Sequence, residues 1–270
     1  MNFKPITMTA RHLSLILCLA LTLSACAGIS ERLSGKSPEE LDEANVAAAR
    51  RLVAALDSQN STLQYFKGIG KIKVWNNRRI QIDERLAWVG SKPEKISIAV
   101  LVSGFPAVKM ATDGQWFYYL EMQGEKAVFK KIKASNASLE RLIAVPLYTQ
   151  DIITLLAGRV PLPEHHSAYI QTEPETAGSI LVLKRRWWGI VEKIYFDGDQ
   201  DRVRQIEVFN RSGSLVYRIN FNNIKEIDGY RIPFQFRIES KDGIDCVLNI
   251  DRYWTNVSVS PSVFVLAPPE

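Results

Sequence analysis

The chain has 270 residues, 46% of them hydrophobic and 23% charged, with a formal net charge of +5. The apolar fraction is enough for a buried core, and a charge this small and dispersed argues against a polyanion partner. Three cysteines, Cys18, Cys26 and Cys246, are too few and too unevenly spread for a disulfide framework.

The chain opens with Lys4 and Arg11, followed by an apolar stretch from Leu13 to Leu23 that is too short to span a bilayer well. Small residues then precede Cys26, and together these features read as a secretory signal. Leu23-Ser24-Ala25-Cys26 resembles the lipobox of bacterial lipoproteins. The resemblance implies that residues 1–25 are removed, that the Cys26 thiol takes a diacylglyceryl group and that its new amino terminus is acylated. With Ala27 rather than Asp next, it also implies export to the outer membrane. Residues 26–37 are then a lipidated cysteine and its tether. Two or three acyl chains hold a protein on a bilayer stably where one does not, so the folded part is expected in the periplasm, with no nucleic acid among its partners. Loss of the leader, which carries two basic groups and no acid, leaves a net charge of +3. Cys246, in the run Ile244 to Leu248, reads as a small buried strand residue, not a reactive thiol.

Beyond the tether, Ser37-Pro38-Glu39-Glu40 reads as a capping box that opens a helix running to about Leu56. Leu41, Ala44, Ala48, Leu52 and Leu56, with Ala55, share one face of it. From Leu63 the period changes to two. Alternating runs at 69–74, 80–88, 94–102, 107–112, 115–121 and 126–133 predict consecutive antiparallel strands. Two short helices interrupt them, Ser138–Val145 and Thr149–Gly158, the second with Thr149 as N-cap and Gly158 as its stop. Strands resume at 168–171, 179–186, 191–196, 203–210, 215–221, 230–239 and 244–253. Asp-Gly pairs beginning at 113, 197, 228 and 242 mark hairpin turns. These thirteen runs are read as about eleven strands. A single sheet of that size must curl, and helices on its concave side would cover the apolar face.

The catalytic inventory is poor. His165 and His166 are adjacent in a proline-flanked loop, and no Cys or His elsewhere completes a zinc set. Asp197-Gly198-Asp199-Gln200-Asp201 starts like a calcium loop, but Arg202 stands where the glycine is needed and Val208 where the closing Glu belongs. Gly68-Ile69-Gly70 leads into a strand, so it builds no phosphate cradle. No Gly-x-Ser-x-Gly elbow is present. Neither an enzyme nor a cofactor is expected.

Three stretches carry a family likeness: Phe66 to Val74, Val102-Ser103-Gly104-Phe105-Pro106-Ala107-Val108-Lys109-Met110, and Asp151 to Pro161. With the lipobox, the early helix and the mid-chain insert, they resemble the outer-membrane lipoprotein receptor and periplasmic lipoprotein carrier of the Lol system (LolA/LolB-like proteins). The resemblance implies a mainly β, α+β domain over 38–270. It would be a single curved antiparallel sheet forming an open, incomplete β-barrel, with an N-terminal helix and a short mid-chain helical lid. It implies a non-catalytic, monomeric outer-membrane lipoprotein that binds acyl chains of lipoproteins or lipids, takes them from a periplasmic carrier protein, and inserts lipoproteins at the outer membrane. A structural or assembly lipoprotein that binds another envelope protein, or a glycolipid carrier, remains the alternative.

Alternation selects Ile82, Leu86, Trp88, Ile98, Val100, Phe117, Tyr119, Ile153 and Leu156 as candidates to line the cavity; a slip of one residue would invert each assignment. Phe105, between Gly104 and Pro106, sits where the family places an apolar tip that assists membrane insertion of cargo; otherwise it folds back on the sheet. Lys184-Arg185-Arg186-Trp187-Trp188 either meets lipid headgroups or simply ends a strand.

Overall fold

The computed structural model describes residues 38–123, 126–134, 145, 147–173, 178–198 and 202–269. The expected leader, Cys26, its tether and Ser37 lie outside the described residues. So do residues 199–201 of the Asp-rich loop and all but Val145 of the first expected short helix.

Thirteen strands follow one another in a single antiparallel sheet: β1 Tyr65–Asn76, β2 Arg79–Ser91, β3 Lys95–Val102, β4 Phe105–Thr112, β5 Trp116–Gln123, β6 Lys126–Lys133, β7 Ser167–Thr172, β8 Ser179–Arg185, β9 Gly189–Phe196, β10 Val203–Phe209, β11 Leu215–Ile227, β12 Tyr230–Ser240 and β13 Ile244–Thr255. This is more than the expected eleven, since each of the thirteen alternating runs takes its own place in the ladder. The spatial order is β6-β5-β4-β3-β2-β1-β13-β12-β11-β10-β9-β8-β7. Two meanders are therefore joined where β1 pairs with β13, with Asn76 opposite Ile244 and Phe66 opposite Thr255. Among the described residues the edges β6 and β7 do not pair with each other, and the barrel stays open. Register shifts at Ile69/Gly70, Val74/Trp75, Val100/Leu101, Leu183/Lys184 and Val208/Phe209 add local twist of the kind that curls a sheet.

The inner face carries one continuous core, from Phe66, Ile72 and Val74 on β1 through Ile98, Leu183, Ile194, Ile206 and Ile219 to Phe236 and Leu248. Tyr169, Ile180 and Val182 make a smaller cluster of their own on β7 and β8, with Ile190 and Tyr195 beside it. Two glycines make room for aromatic rings on the neighbouring strand. Gly68 is paired with Trp88 and Gly90 with Phe66. A Cβ at Gly68 would sit 2.1 Å from the Trp88 ring, and one at Gly90 would sit 2.2 Å from the Phe66 ring. Each ring thus lies over a neighbour that has no side chain.

The N-terminal helix is not continuous. A turn, α1 (Pro38–Leu41), stops at Asp42, whose side chain accepts a hydrogen bond from the Ala44 N–H and caps α2 (Glu43–Ser58). This restart rotates the buried face to Ala49 and Leu56, with Leu52 and Val53 half-buried, while Ala44 and Ala55 of the expected stripe are exposed. The Asn45 side chain explains the rotation. It donates to the Ile170 carbonyl at 2.8 Å and accepts from the Ile170 N–H at 2.7 Å, so it occupies an edge position of β7 that another strand would otherwise use. Nearby, the buried Glu40 accepts from the Ser167 hydroxyl at 3.0 Å and pairs with Lys184 at 2.7 Å. A C-terminal 3-10 turn, Pro261–Phe264, buries Phe264 against β3 and β4.

Because Trp88 is already fully packed, Gly68→Ala has no free volume to use. We expect a loss of about 1–3 kcal/mol from overpacking, read as a lower urea midpoint with an unchanged slope. An unchanged midpoint would mean that the ring moves freely.

Candidate functional site

The mid-chain helix α3, Thr149–Leu156, lies across the inner face of the sheet. Its N-cap position is Tyr148, not Thr149. The Tyr148 carbonyl accepts from the N–H groups of Asp151 and Ile152, and Thr149 is buried in the first turn. Gly158, at φ +70°, ends it. The C-terminal end is pinned on three sides. The Tyr253 hydroxyl of β13 donates to the Leu156 carbonyl at 2.7 Å, the Asn60 side chain donates to the Ala157 carbonyl at 3.0 Å, and Gln59 donates to the Gly158 carbonyl at 2.9 Å. At the other end, Gln150 donates to the Pro93 carbonyl at 3.0 Å.

Beneath α3 is a cleft walled only by apolar atoms. Leu147, Ile152, Leu155 and Leu156 face Ile72, Leu86, Ile98, Phe236, Ile238, Cys246 and Leu248 from five adjoining strands. Its free volume is about 70 Å³, little more than two water molecules occupy in the liquid at about 30 Å³ each. In this closed arrangement α3 fills most of the space over the sheet. Between the start of α3 and the turns near Glu94 and Gly114, a wider groove of about 400 Å³ opens outward.

Three of the nine candidates, Leu86, Ile98 and Leu156, wall the apolar cleft. Ile153 is buried but faces the wider groove with Thr112 and Tyr148. Trp88, Val100 and Phe117 are packed into the core away from the cleft, and Ile82 and Tyr119 are half-buried against that core. The Tyr119 hydroxyl donates to Glu121 at 2.7 Å. Phe105 does not fold back: it stands 77% exposed on the β3–β4 turn. Cys246 is a buried strand residue whose thiol pKa is pushed up to about 12 by burial, with a smaller contribution from the charge of Asp245. His165 places Nδ1 2.9 Å from the Pro163 carbonyl oxygen, and among the described residues no three metal-binding side chains converge.

One residue of the interior was not selected from sequence. Glu192 of β9 is 1% exposed, and neither carboxylate oxygen has a hydrogen-bond partner among the described residues. Burial drives its pKa well above the usual glutamate range, and the nearby Asp151 charge pushes the same way. Asp151, in the first turn of α3, is itself raised by burial, partly offset by a hydrogen bond from the Tyr148 backbone. Tyr217 of β11 is raised by burial and then by these two carboxyls. The acids therefore lie near each other between α3 and the sheet, where burial disfavours the charged form of both. The available signal was parity: Glu192 alternates with Ile194 and Phe196, so an inward acid was legible there.

A carboxyl whose pKa is raised by folding costs nothing while both states are protonated. The cost appears as pH rises above the ordinary glutamate value of 4.5, where the unfolded chain ionises and the folded one resists. Stability is therefore expected to fall from pH 5 to pH 8. Glu192→Leu, which removes an unpartnered acid, is expected to be more stable than the parent by a margin that widens across that range. Denaturant midpoints at the two pH values check this, and a margin independent of pH would show that Glu192 is not the group responsible.

No protein-family model matches this chain, and no curated protein matches its sequence. Solved structures match its fold. A DUF1329 family protein from Desulfovibrio piger is similar at 15% identity, over 82% of this chain and 97% of that one, with a TM-score of 0.60. A LolA superfamily protein from Nitrosomonas europaea matches at 14% identity, over 81% and 97% of the two chains, with a TM-score of 0.56. A structure described as an outer membrane lipoprotein-sorting protein domain from Vibrio parahaemolyticus matches at 12% identity, over 82% and 96%, with a TM-score of 0.54. The unclosed antiparallel sheet of this chain thus has a fold similar to that of the LolA superfamily protein from Nitrosomonas europaea.

Proposed function

We propose that this chain is a non-catalytic envelope lipoprotein, anchored through Cys26 at the periplasmic face of the outer membrane, that takes up acyl chains beneath α3 and passes lipoproteins to the membrane. The observation that carries this reading is the cleft under α3, whose exposed wall, formed by eleven residues, is apolar throughout, on an open sheet with a helix as its cover. Its closed volume of about 70 Å³ is too small for a whole acyl chain, so uptake requires α3 to swing away about its pinned C-terminal end. Leu86, Ile98 and Leu156, with Ile152 and Phe236, then line the path of the chain.

The energetics suit transfer. Burying an acyl chain of about sixteen carbons gains on the order of 12 kcal/mol, and a bilayer offers a similar gain. Exchange between protein and membrane then runs close to balance, its rate set by opening of the lid, with no nucleotide or cofactor required. The neighbour from Vibrio parahaemolyticus described as lipoprotein-sorting supports the choice of cargo. Phe105, exposed on its turn, is the side chain that would enter the bilayer during delivery.

Native mass spectrometry of the chain purified without detergent is expected to find diacylated or triacylated species bound, and a fluorescent fatty acid is expected to be taken up by the delipidated protein. Failure of both sinks the acyl-binding reading. Phe105→Glu, on an exposed turn, is expected to leave stability within about 0.5 kcal/mol and uptake intact while slowing release into vesicles. Release at the parental rate would remove the role of the tip.

The small closed cleft favours a second reading, an assembly lipoprotein that binds another envelope protein through its exposed apolar turns. Under that reading the purified chain carries no lipid and takes up none.

A further inference from the structure

In an antiparallel meander the hairpin turns alternate between the two ends of the sheet. The registers place β1–β2, β3–β4, β8–β9, β10–β11 and β12–β13 at one end, and β2–β3, β4–β5, β7–β8, β9–β10 and β11–β12 at the other. The two ends differ in charge. Among the described residues, the turns of the first end with their flanking strand residues carry Arg78, Arg79, Arg185, Arg186, Arg211 and Lys241 against one carboxylate, Asp242. Those of the second end carry Glu94, Asp113, Glu173, Asp197 and Asp228 against Lys92, Lys95 and Arg202.

The basic end also displays aromatic side chains. The β8–β9 turn raises Trp187 to 84% exposure, with Trp188 beside it at 39%. The Arg186 guanidinium lies 5.5 Å from the Trp187 ring, while Arg185 and Arg211 lie 4.6 and 5.9 Å from the Trp188 ring. Arg185 also pairs with Glu164 at 2.6 Å. Trp187 adopts φ +70°, a left-handed backbone that a bulky side chain takes only at a cost. A large apolar ring held in water on a strained turn contributes nothing to the core that would offset either penalty. Stacked guanidiniums keep their N–H edges free for phosphate, and tryptophan favours the boundary between headgroups and hydrocarbon.

The first described turn lies at the same end: Glu40 holds α1 to Ser167 and Lys184, next to Arg185. Phe105, on the β3–β4 turn, belongs to it as well.

We infer that the basic, aromatic end of the half-barrel is a membrane-docking rim, in which the β8–β9 turn seats Trp187 and Trp188 among phospholipid headgroups while Arg186 and Arg211 meet their phosphates. The rim orients the cleft relative to the bilayer. It acts separately from acyl-chain uptake, because it shares no side chain with the cleft.

The test uses the full chain reconstituted in phosphatidylethanolamine vesicles containing phosphatidylglycerol. Brominated phospholipids, which quench tryptophan only on contact, are expected to quench the parent. In Trp187→Asn/Trp188→Ser most of that quenching is expected to be lost; Asn is chosen because it accepts the left-handed backbone. Arg186→Gln/Arg211→Gln is expected to reduce the quenching, and salt to reduce it in the parent. Equal quenching of the parent and the tryptophan variant overturns the inference. So does a parent quenched by aqueous iodide instead, or one shielded from both quenchers, as a protein partner on the rim would produce. Uptake of a fluorescent fatty acid, measured on the same samples, is expected to be unchanged in both variants. Uptake that fails in the parent while bromolipid quenching persists rejects the proposed cargo and leaves the rim standing.

Discussion

A sheet whose two edges never meet has an apolar inner face that it cannot bury by closing on itself. β6 and β7 end the ladder without pairing, so the residues lining β1, β2, β3, β12 and β13 depend on something laid across them. α3 is that cover. Short helices are marginal alone in water, and this one of eight residues persists through the leucines and isoleucines it buries and the hydrogen bonds that hold its C-terminal end. The fold thus joins a large, rigid, regularly hydrogen-bonded half to a small half held mostly by apolar contact. Contacts of that kind can be exchanged for those of an acyl chain at little net cost, because neither makes a directional demand.

Polar groups set where the lid is fixed and where it is strained. Its C-terminal end is tied by Tyr253, Asn60 and Gln59. Its first turn carries Asp151 near Glu192 of β9: both acids are raised by burial, and Glu192 also by the Asp151 charge. One end is thus held by three hydrogen bonds, while the other carries a penalty that grows as pH rises. The wider groove opens at that end, beside Tyr148 and Thr149.

The alternation of hairpins sorts charge as well as turns. Positions that are far apart in sequence, such as Arg78, Phe105, Trp187 and Arg211, arrive at one rim because successive strands reverse direction. The N-terminal segment arrives there too, through the buried Glu40–Lys184 pair.

Much of the fold follows from local pattern. Period-two alternation, the Asp-Gly turns at Asp228-Gly229 and Asp242-Gly243, and the glycine stop at Gly158 are short-range effects of backbone sterics and side-chain parity, and they are readable from neighbours alone. The break at Asp42 is local as well, but its consequence is not: the face that α2 buries is set by Asn45 reaching the edge of β7, 125 residues away. The cleft was legible only in part. Parity identifies inward residues such as Leu86, Trp88 and Ile98, but it cannot separate those beneath α3 from those packed against another ring. Trp88 is kept from the cleft by its position over Gly68, and Ile153 by the rotation of α3. Composition and pattern by themselves determined a β-rich sheet that must curl and helices to cover its apolar face; that the sheet stays open was implied only by the family resemblance. Which side chains the cover leaves facing a void, that two acids lie near each other beneath it, and that cations, tryptophans and the N-terminal segment share one rim were decided by tertiary structure, because each depends on distances between strands that no local pattern encodes.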